Sequence, residues 1–230
     1  MAKQKSSSKA PRAPEAAAMA AIDRRATKLT QHRYDRQAAF YDLHGALLER
    51  LAVGRWRRRL WSKVEGGRIL EVGVGTGINM PYHPPEAPVV AIDLSAKLLA
   101  RAANKARRNG KAVEFGLMDA QRLAFADDAF DSAATSFVFC SVPDPIAGLT
   151  EVRRVLKPGG RLILLEHVRL GNRLLGWLMD LLNPIWVRLS GANINRDTVA
   201  NVQRVGFQVE AVDSFLAGLV KLIEARKESQ

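Results

Sequence analysis

Glu71-Val72-Gly73-Val74-Gly75-Thr76-Gly77 follows the apolar run Arg68–Val72, which reads as a strand. Glycines at this spacing let the chain turn tightly and let a ligand approach the main chain. The NH groups at the start of the following helical turn then face that ligand. Taken alone, the pattern also fits a purely structural strand-to-helix turn. A dinucleotide site needs Gly-x-Gly-x-x-Gly. Here the third glycine comes one residue early, and Ile78 stands where the last glycine is needed. The pattern therefore points to a nucleotide without a pyrophosphate.

Outward from this turn, short strands and helices alternate. Val89–Ile92 reads as a second strand, and Ser95–Asn109 as a helix capped by Ser95 and closed by Gly110. Val113–Leu117 and Asp131–Phe139 read as the third and fourth strands. Asp144–Val155 reads as a helix broken by Lys157-Pro158-Gly159-Gly160, and Arg161–Glu166 as the fifth strand. Strands separated by helices predict a parallel sheet covered on both faces. The end differs. A helix capped by Asn195 is expected to run to about Val205, followed by Phe207–Val212 and Leu219–Ala225. Two strands so close in sequence form a hairpin. The expected fold is α/β: a Rossmann-like, seven-stranded, mostly parallel, doubly wound sheet ending in an antiparallel hairpin, with an N-terminal helical extension.

The ends of the strands carry the chemistry. Asp93 ends the second strand, and a carboxylate there can accept both hydroxyls of a ribose. Asp119-Ala120 follows the third strand, where an acid can accept from an adenine amino group. Ligands bind at this edge of open α/β sheets. The set Glu71–Gly77, Asp93, Met118-Asp119-Ala120, Phe130-Asp131 and Arg154-Val-Leu-Lys-Pro-Gly-Gly160 resembles class I S-adenosylmethionine-dependent methyltransferases over about Tyr34 to Arg226. Within that class the chain is most similar to the ubiquinone/menaquinone-biosynthesis C-methyltransferases and to bacterial phosphatidylethanolamine N-methyltransferases. Leu165-Glu166-His167-Val168, Asn183-Pro184-Ile185-Trp186 and Gly191-Ala192-Asn193 also resemble the alkyl-thiol methyltransferase-like family.

The resemblance implies S-adenosyl-L-methionine as cofactor. It implies that Glu71, Gly73, Gly75, Thr76 and Gly77 line its methionine moiety and sugar, that Asp93 holds the ribose, that Asp119 and Ala120 flank the adenine, and that Ser136 touches the methionine side. Methyl transfer from a sulfonium is an in-line displacement, and a base is needed only where the acceptor must first lose a proton. Two residues are candidates for catalysis. Tyr41, like Tyr34, lies in the N-terminal region that folds over the cofactor in the related families; packing on the domain surface is the alternative. His167 ends the fifth strand beside Glu166 and can accept a proton, or serve only as a local hydrogen-bonding residue. His44 and His83 are weaker candidates.

The chain has 230 residues, 47% of them hydrophobic, enough for one well-buried domain. Its single cysteine, Cys140, excludes a disulfide framework, a cysteine-rich zinc site and the iron–sulfur cluster of radical chemistry. No metal site is expected; Cys140 reads as a small buried hydrophobe. The formal net charge of +12 is uneven: residues 1–63 hold 15 Lys/Arg and 5 Asp/Glu, residues 64–230 hold 20 and 18. The expected organisation is a basic tail at 1–30, disordered to about Pro14 with a short, weak helix read from Ala16 to about Lys28, a helical cap at 31–66, and the methyltransferase domain at 67–230 with an apolar insert at 168–194.

That insert, rich in leucine with Trp177 and Trp186, reads either as an ordinary core helix or as a lid on an apolar acceptor pocket. The cluster Arg55, Arg57, Arg58, Arg59 and Lys63, beside Trp56 and Trp61, reads either as a solvated basic face or as a surface for an anionic membrane. No stretch is long and apolar enough to cross a bilayer, so the expected location is the cytoplasm, peripheral to the inner face of a membrane. The favoured function is methyl transfer to a lipophilic acceptor, with the amine of phosphatidylethanolamine ahead of a quinone precursor or an alkyl thiol. A soluble small-molecule acceptor and an RNA-binding protein with a cofactor-binding fold are the competing readings. Nucleic acid is not expected as a partner, because the main body is nearly neutral.

Overall fold

The strands form because short runs of β-branched and apolar residues are buried on both faces of a sheet, as in Ile69–Val72 and Val89–Asp93. The computed structural model describes residues 13–37 and 53–229. Among them, the elements in chain order begin with α1 (Ala13–Gln37), α2 (Gly54–Trp61), β1 (Ile69–Val72), β2 (Val89–Asp93) and α3 (Ala96–Arg108). They continue with β3 (Val113–Leu117), β4 (Phe130–Ser136), α4 (Pro145–Val155), β5 (Leu156–His167) and α5 (Arg173–Ser190). The chain closes with α6 (Thr198–Arg204), β6 (Phe207–Phe215) and β7 (Val220–Lys227).

The sheet order is β3-β2-β1-β4-β5-β7-β6. The first four pairings are parallel, while β7 runs antiparallel to both β5 and β6. This is the seven-stranded doubly wound sheet with a terminal hairpin that the sequence predicts. β1 lies between β2 and β4, so its C-terminal turn opens at the switch point where such sheets bind ligands.

Alternation along β5 divides the core. Leu162 and Leu164 pack with Leu149 and Val152 of α4 and Val202 of α6. Ile163 and Leu165 pack with Leu60 and Trp61 of α2 on the other face. Side-chain caps start most of the helices: Ser95 accepts from Leu98 N, Asp144 from Ile146 N and Ala147 N, and Asn172 from Leu174 N and Leu175 N.

Several boundaries differ from the sequence reading. α1 spans Ala13–Gln37, longer at both ends than the short helix read at Ala16 to about Lys28; residues 1–12 lie outside the described residues. The helical region expected from Asp35 to Val64 is seen at its ends, and residues 38–52 lie outside the description. β5 starts at Leu156, because Lys157–Gly160 form an irregularity inside the strand: Leu156 pairs with Phe130 and Arg161 with Ser132. β4 stops at Ser136, where Phe137 takes a left-handed φ of 58°. The cap of α6 is Asp197, accepting from Ala200 N, whereas Asn195 donates to Asp180. No helix among the described residues is long and apolar enough to cross a membrane.

Leu164 is fully buried in the central strand. Leu164→Ala is expected to cost about 2–5 kcal/mol through lost burial and a residual cavity. Urea unfolding checks this: a midpoint unchanged from the wild-type chain would contradict the central place of β5.

Candidate active site

The turn after β1 is built around a buried carboxylate. Glu71 has no solvent exposure; its Oε1 accepts from Asn79 Nδ2 at 2.7 Å and its Oε2 lies 2.9 Å from His83 Nε2. The His83 ring packs on Trp61 at 4.3 Å between centroids. Asn79 Nδ2 and Arg57 Nη1 both donate to Ser136 Oγ, at 2.9 and 2.6 Å. Arg57 also donates to Asn79 Oδ1 at 2.9 Å and lies over the Phe137 ring. Glu71, Asn79, Ser136, Arg57 and His83 are thus one network joining the ends of β1 and β4 to α2.

A cleft of about 680 Å³, open solvent at its mouth included, lies along the C-terminal ends of β1, β2, β3 and β4. Gly73 (φ +72°) has no room for a side chain, because a Cβ there would lie 2.4 Å from Val138 Cγ2. Gly75 (φ +56°) differs: its missing Cβ faces open space on the cleft wall. Across from it, Asp93 accepts from Gly75 N and Ser95 N, both at 2.8 Å. Burial pushes the Asp93 carboxyl above the usual range, opposed by those two NH bonds. Asp119 accepts from Gln121 N at 2.9 Å and from Thr27 Oγ1 at 3.3 Å.

α1 covers one side. Its Thr30 and Tyr34 line the cleft, the Tyr34 hydroxyl pairs with Ser141 Oγ at 2.5 Å, and Asp35 accepts from Ser95 Oγ. Glu166, at the end of β5, braces the opposite wall. Its Oε1 accepts from Val138 N at 2.9 Å and Phe139 N at 3.0 Å, while its buried Oε2 has no hydrogen-bond partner. Burial pushes this carboxyl up to about 7.

The residues singled out from the sequence divide into three groups. Gly73, Gly75, Asp93, Asp119, Ala120 and Ser136 line the cleft together. Glu71, Thr76 and Gly77 do not; Glu71 supports the turn from behind, and Thr76 is buried. Tyr41 and His44 lie outside the described residues. His167 is one ring removed from the cleft, its centroid 4.5 Å from that of the cleft-lining Phe137. Burial lowers its imidazole below the usual histidine range.

Cys140 is buried, and burial with Glu166 nearby pushes its thiol far up, so it stays protonated. The expected basic surface is largely engaged within the protein: Arg57 turns inward, Arg59 pairs with Asp213 at 2.9 Å and Lys63 with Glu224 at 3.0 Å. Sequence reasoning missed Asn79 and the inward role of Arg57. Asn79 sits two residues past the glycine turn, a position from which its amide can reach back to Glu71, and that spacing was the available signal.

Residues 70–164 match the family model described as a methyltransferase domain. The match runs from β1 into β5 and covers under half of the chain. The chain is 39% identical over 115 residues to the phosphatidylethanolamine N-methyltransferase of Cereibacter sphaeroides, covering 48% of this chain and 57% of that protein. It is 41% identical over 132 residues to the demethylmenaquinone methyltransferase of Thermus thermophilus, covering 55% and 60%. Identity to the ubiquinone/menaquinone biosynthesis C-methyltransferase of Desulfotalea psychrophila is 29%, over 81% of this chain and 85% of that one. The first two alignments span little more than half the length of the relatives matched.

Among solved structures, a S-adenosylmethionine-dependent methyltransferase of Thermotoga maritima aligns with a TM-score of 0.67 at 23% identity, over 86% of this chain and all of that one. The [4+2]-cyclase SpnF aligns at 0.63 and 22%, over 76% and 81%. A cyclase on the same architecture illustrates that the fold alone does not choose the reaction. The site fits the S-adenosyl-L-methionine that the sequence resemblance implies: the open side of Gly75 admits a ligand against the main chain, and the Asp93 carboxylate is held in place as an acceptor.

Glu166 generates a pH prediction. Its folded value, about 7, lies above the ordinary 4.5. Between the two, the folded chain keeps a proton that the unfolded chain has lost, so stability falls as pH rises through that window. Glu166→Gln should flatten this fall. Melting temperatures recorded across the window check it, and equal slopes for variant and wild type would show that Glu166 does not titrate there.

Proposed function

We propose that the chain transfers a methyl group from S-adenosylmethionine to a lipophilic acceptor at a membrane surface, with the amine of phosphatidylethanolamine as the first candidate. The observation that carries the donor half is the pairing of Gly75 with Asp93 across the cleft. In this reading Asp93 accepts from the ribose hydroxyls, and Asp119 and Ala120 flank the adenine. Gly73, Gly75 and Ser136 lie along the methionine side, while Glu71, Thr76 and Gly77 shape the turn from behind. When bound, the cofactor supplies a methyl group activated by a sulfonium. The protein's part is to align that group with the acceptor and keep water out.

The acceptor half is supported by two relatives whose names specify phosphatidylethanolamine and demethylmenaquinone. Both molecules join a small reactive head to a long apolar tail. An ammonium or a phenol must lose a proton before it attacks the methyl. His167 is proposed as the acceptor of that proton, reached past Phe137. Its lowered value keeps it neutral near pH 7, as a base must be. Tyr41 is proposed as a second catalytic residue.

Asp93→Ala should weaken S-adenosylmethionine binding by about 1–3 kcal/mol, through loss of charge-assisted hydrogen bonds. Calorimetry checks this, and an unchanged affinity would refute the ribose assignment. An acceptor screen with labelled cofactor and detergent-dispersed phosphatidylethanolamine, a quinol and an alkyl thiol tests the substrate. Label in a quinol alone would move the assignment to C-methylation, and label in none of the three would overturn the lipophilic reading. With the accepted substrate, His167→Gln should lower kcat about 100-fold and leave KM nearly unchanged.

A further inference from the structure

α5 is not a core helix, and none of its residues lines the cleft. Of its eighteen residues only Gly176 and Met179 are buried, and Leu174, Leu181, Ile185 and Leu189 are each more than half exposed. At 3.6 residues per turn, Leu181, Leu174, Ile185, Leu178, Leu189 and Leu182 occupy neighbouring positions on the outward side, an arc roughly 120° wide. Trp186 closes one edge of the arc; Arg188 and Trp177 close the other. Both tryptophans are about half exposed. Among the described residues nothing packs over this ridge. Surfaces of monomeric proteins rarely leave so continuous an apolar patch in water without a partner.

We propose that α5 docks the protein on a lipid bilayer, lying in the plane of the interface with its leucine ridge among the acyl chains. Three observations favour lipid over a protein partner. The arc contains no polar side chain, whereas a protein interface carries about one hydrogen bond per 100–200 Å². Tryptophan flanks both edges, where an apolar ring and a polar NH suit the boundary between hydrocarbon and headgroups. The charge of the flanks is complementary to anionic headgroups. Arg173 and Arg188 stand there, and Asp180, the single carboxylate of the helix, is neutralised by Arg169 at 2.9 Å and bonded by Asn195 at 3.0 Å.

The ridge is tied to the cofactor cleft. Asn183, on the inner side of α5, donates to Asn193 Oδ1 and accepts from Ile194 N. Asn193 donates twice to Cys140 O, through its backbone N at 2.7 Å and its Nδ2 at 3.0 Å. Ser141, the next residue, lines the cleft and pairs with Tyr34. A bilayer held by α5 therefore lies beside the cleft wall formed by residues 136–143. The inference deepens the lipophilic-acceptor reading and rests on it for the acceptor's identity alone.

Flotation of the full chain tests the docking, using vesicles of phosphatidylcholine alone and of phosphatidylcholine mixed with phosphatidylglycerol. Neither contains phosphatidylethanolamine or a quinol, so the outcome is independent of the acceptor screen. The wild-type chain should float with the mixed vesicles. Leu181→Glu combined with Ile185→Glu should lower the bound fraction at least roughly tenfold, because two charges then face hydrocarbon. Arg173→Gln with Arg188→Gln should weaken binding to the mixed vesicles and not to phosphatidylcholine alone. Val212→Glu, at an exposed position on β6, should float like wild type, and a retained melting transition establishes that each variant is folded. Trp177→Phe with Trp186→Phe should remove the blue shift of tryptophan emission on vesicle addition. A wild-type chain that stays unbound, or a double-Glu variant that floats unchanged, overturns the proposal. So does a wild-type dimer in sedimentation that the double-Glu variant splits, because that result assigns the ridge to a second copy of the chain.

Discussion

A carboxylate with no access to water must be paired, and at the end of β1 that requirement organises the site. Leaving Glu71 unpartnered would cost more than any single surface interaction in the chain. Asn79 and His83 meet the need, and in doing so pull the chain after the glycine turn back beneath β1. The same Asn79 amide reaches Ser136, so β1 and β4 end in register around the cleft. Arg57 joins through Ser136 and Asn79, which fixes α2 against that edge. The glycine turn is thus shaped from behind by polar groups that never face the cleft.

The opposite wall follows the same rule with an incomplete solution. Glu166 orders the left-handed turn at Phe137 by accepting from Val138 N and Phe139 N. One of its oxygens is satisfied, and the other is buried without a partner. Complete burial is why its proton is held so tightly, and the NH groups of Val138 and Phe139 oppose that effect as those of Ser95 and Gly75 do at Asp93. The two acids differ in place: Asp93 stands on the cleft wall, and Glu166 stands behind it.

The parallel strands and the acids at their ends were legible in sequence because both depend on local signals. Val89–Asp93 is a continuous apolar run ended by an acid, and no distant contact is needed to read it. Elements decided by distant contacts were not legible. Lys157–Gly160 looks like a break, yet the chain stays in the strand because Leu156 and Arg161 both find partners on β4. α1 has little apolar contrast along its length, and its seat depends on Asp119, Ser141 and Ser95, which are 60 or more residues away. Arg57 read as one of a basic cluster, because nothing in Arg55–Arg59 distinguishes it; the burial of Leu60 and Trp61 turns that side of α2 inward. The apolar insert could not be assigned either, since a buried helix and an exposed apolar one share the same residues and differ only in what covers them.

The manner in which α1 is seated sets it apart from the rest of the cover. Of its described side chains none is fully buried, so little apolar area holds it down. What holds it is polar: Thr27 on Asp119, Tyr34 on Ser141 and Asp35 on Ser95. Such bonds contribute about 1 kcal/mol each, far less than the burial that fixes the sheet. Two of them end on residues that line the cleft, Asp119 and Ser141, and the third on Ser95, the neighbour whose NH positions Asp93. A ligand that draws on those carboxylates therefore acts on the seat of α1 as well. The described side chains of α1 thus seat the helix beside the cleft by polar bonds.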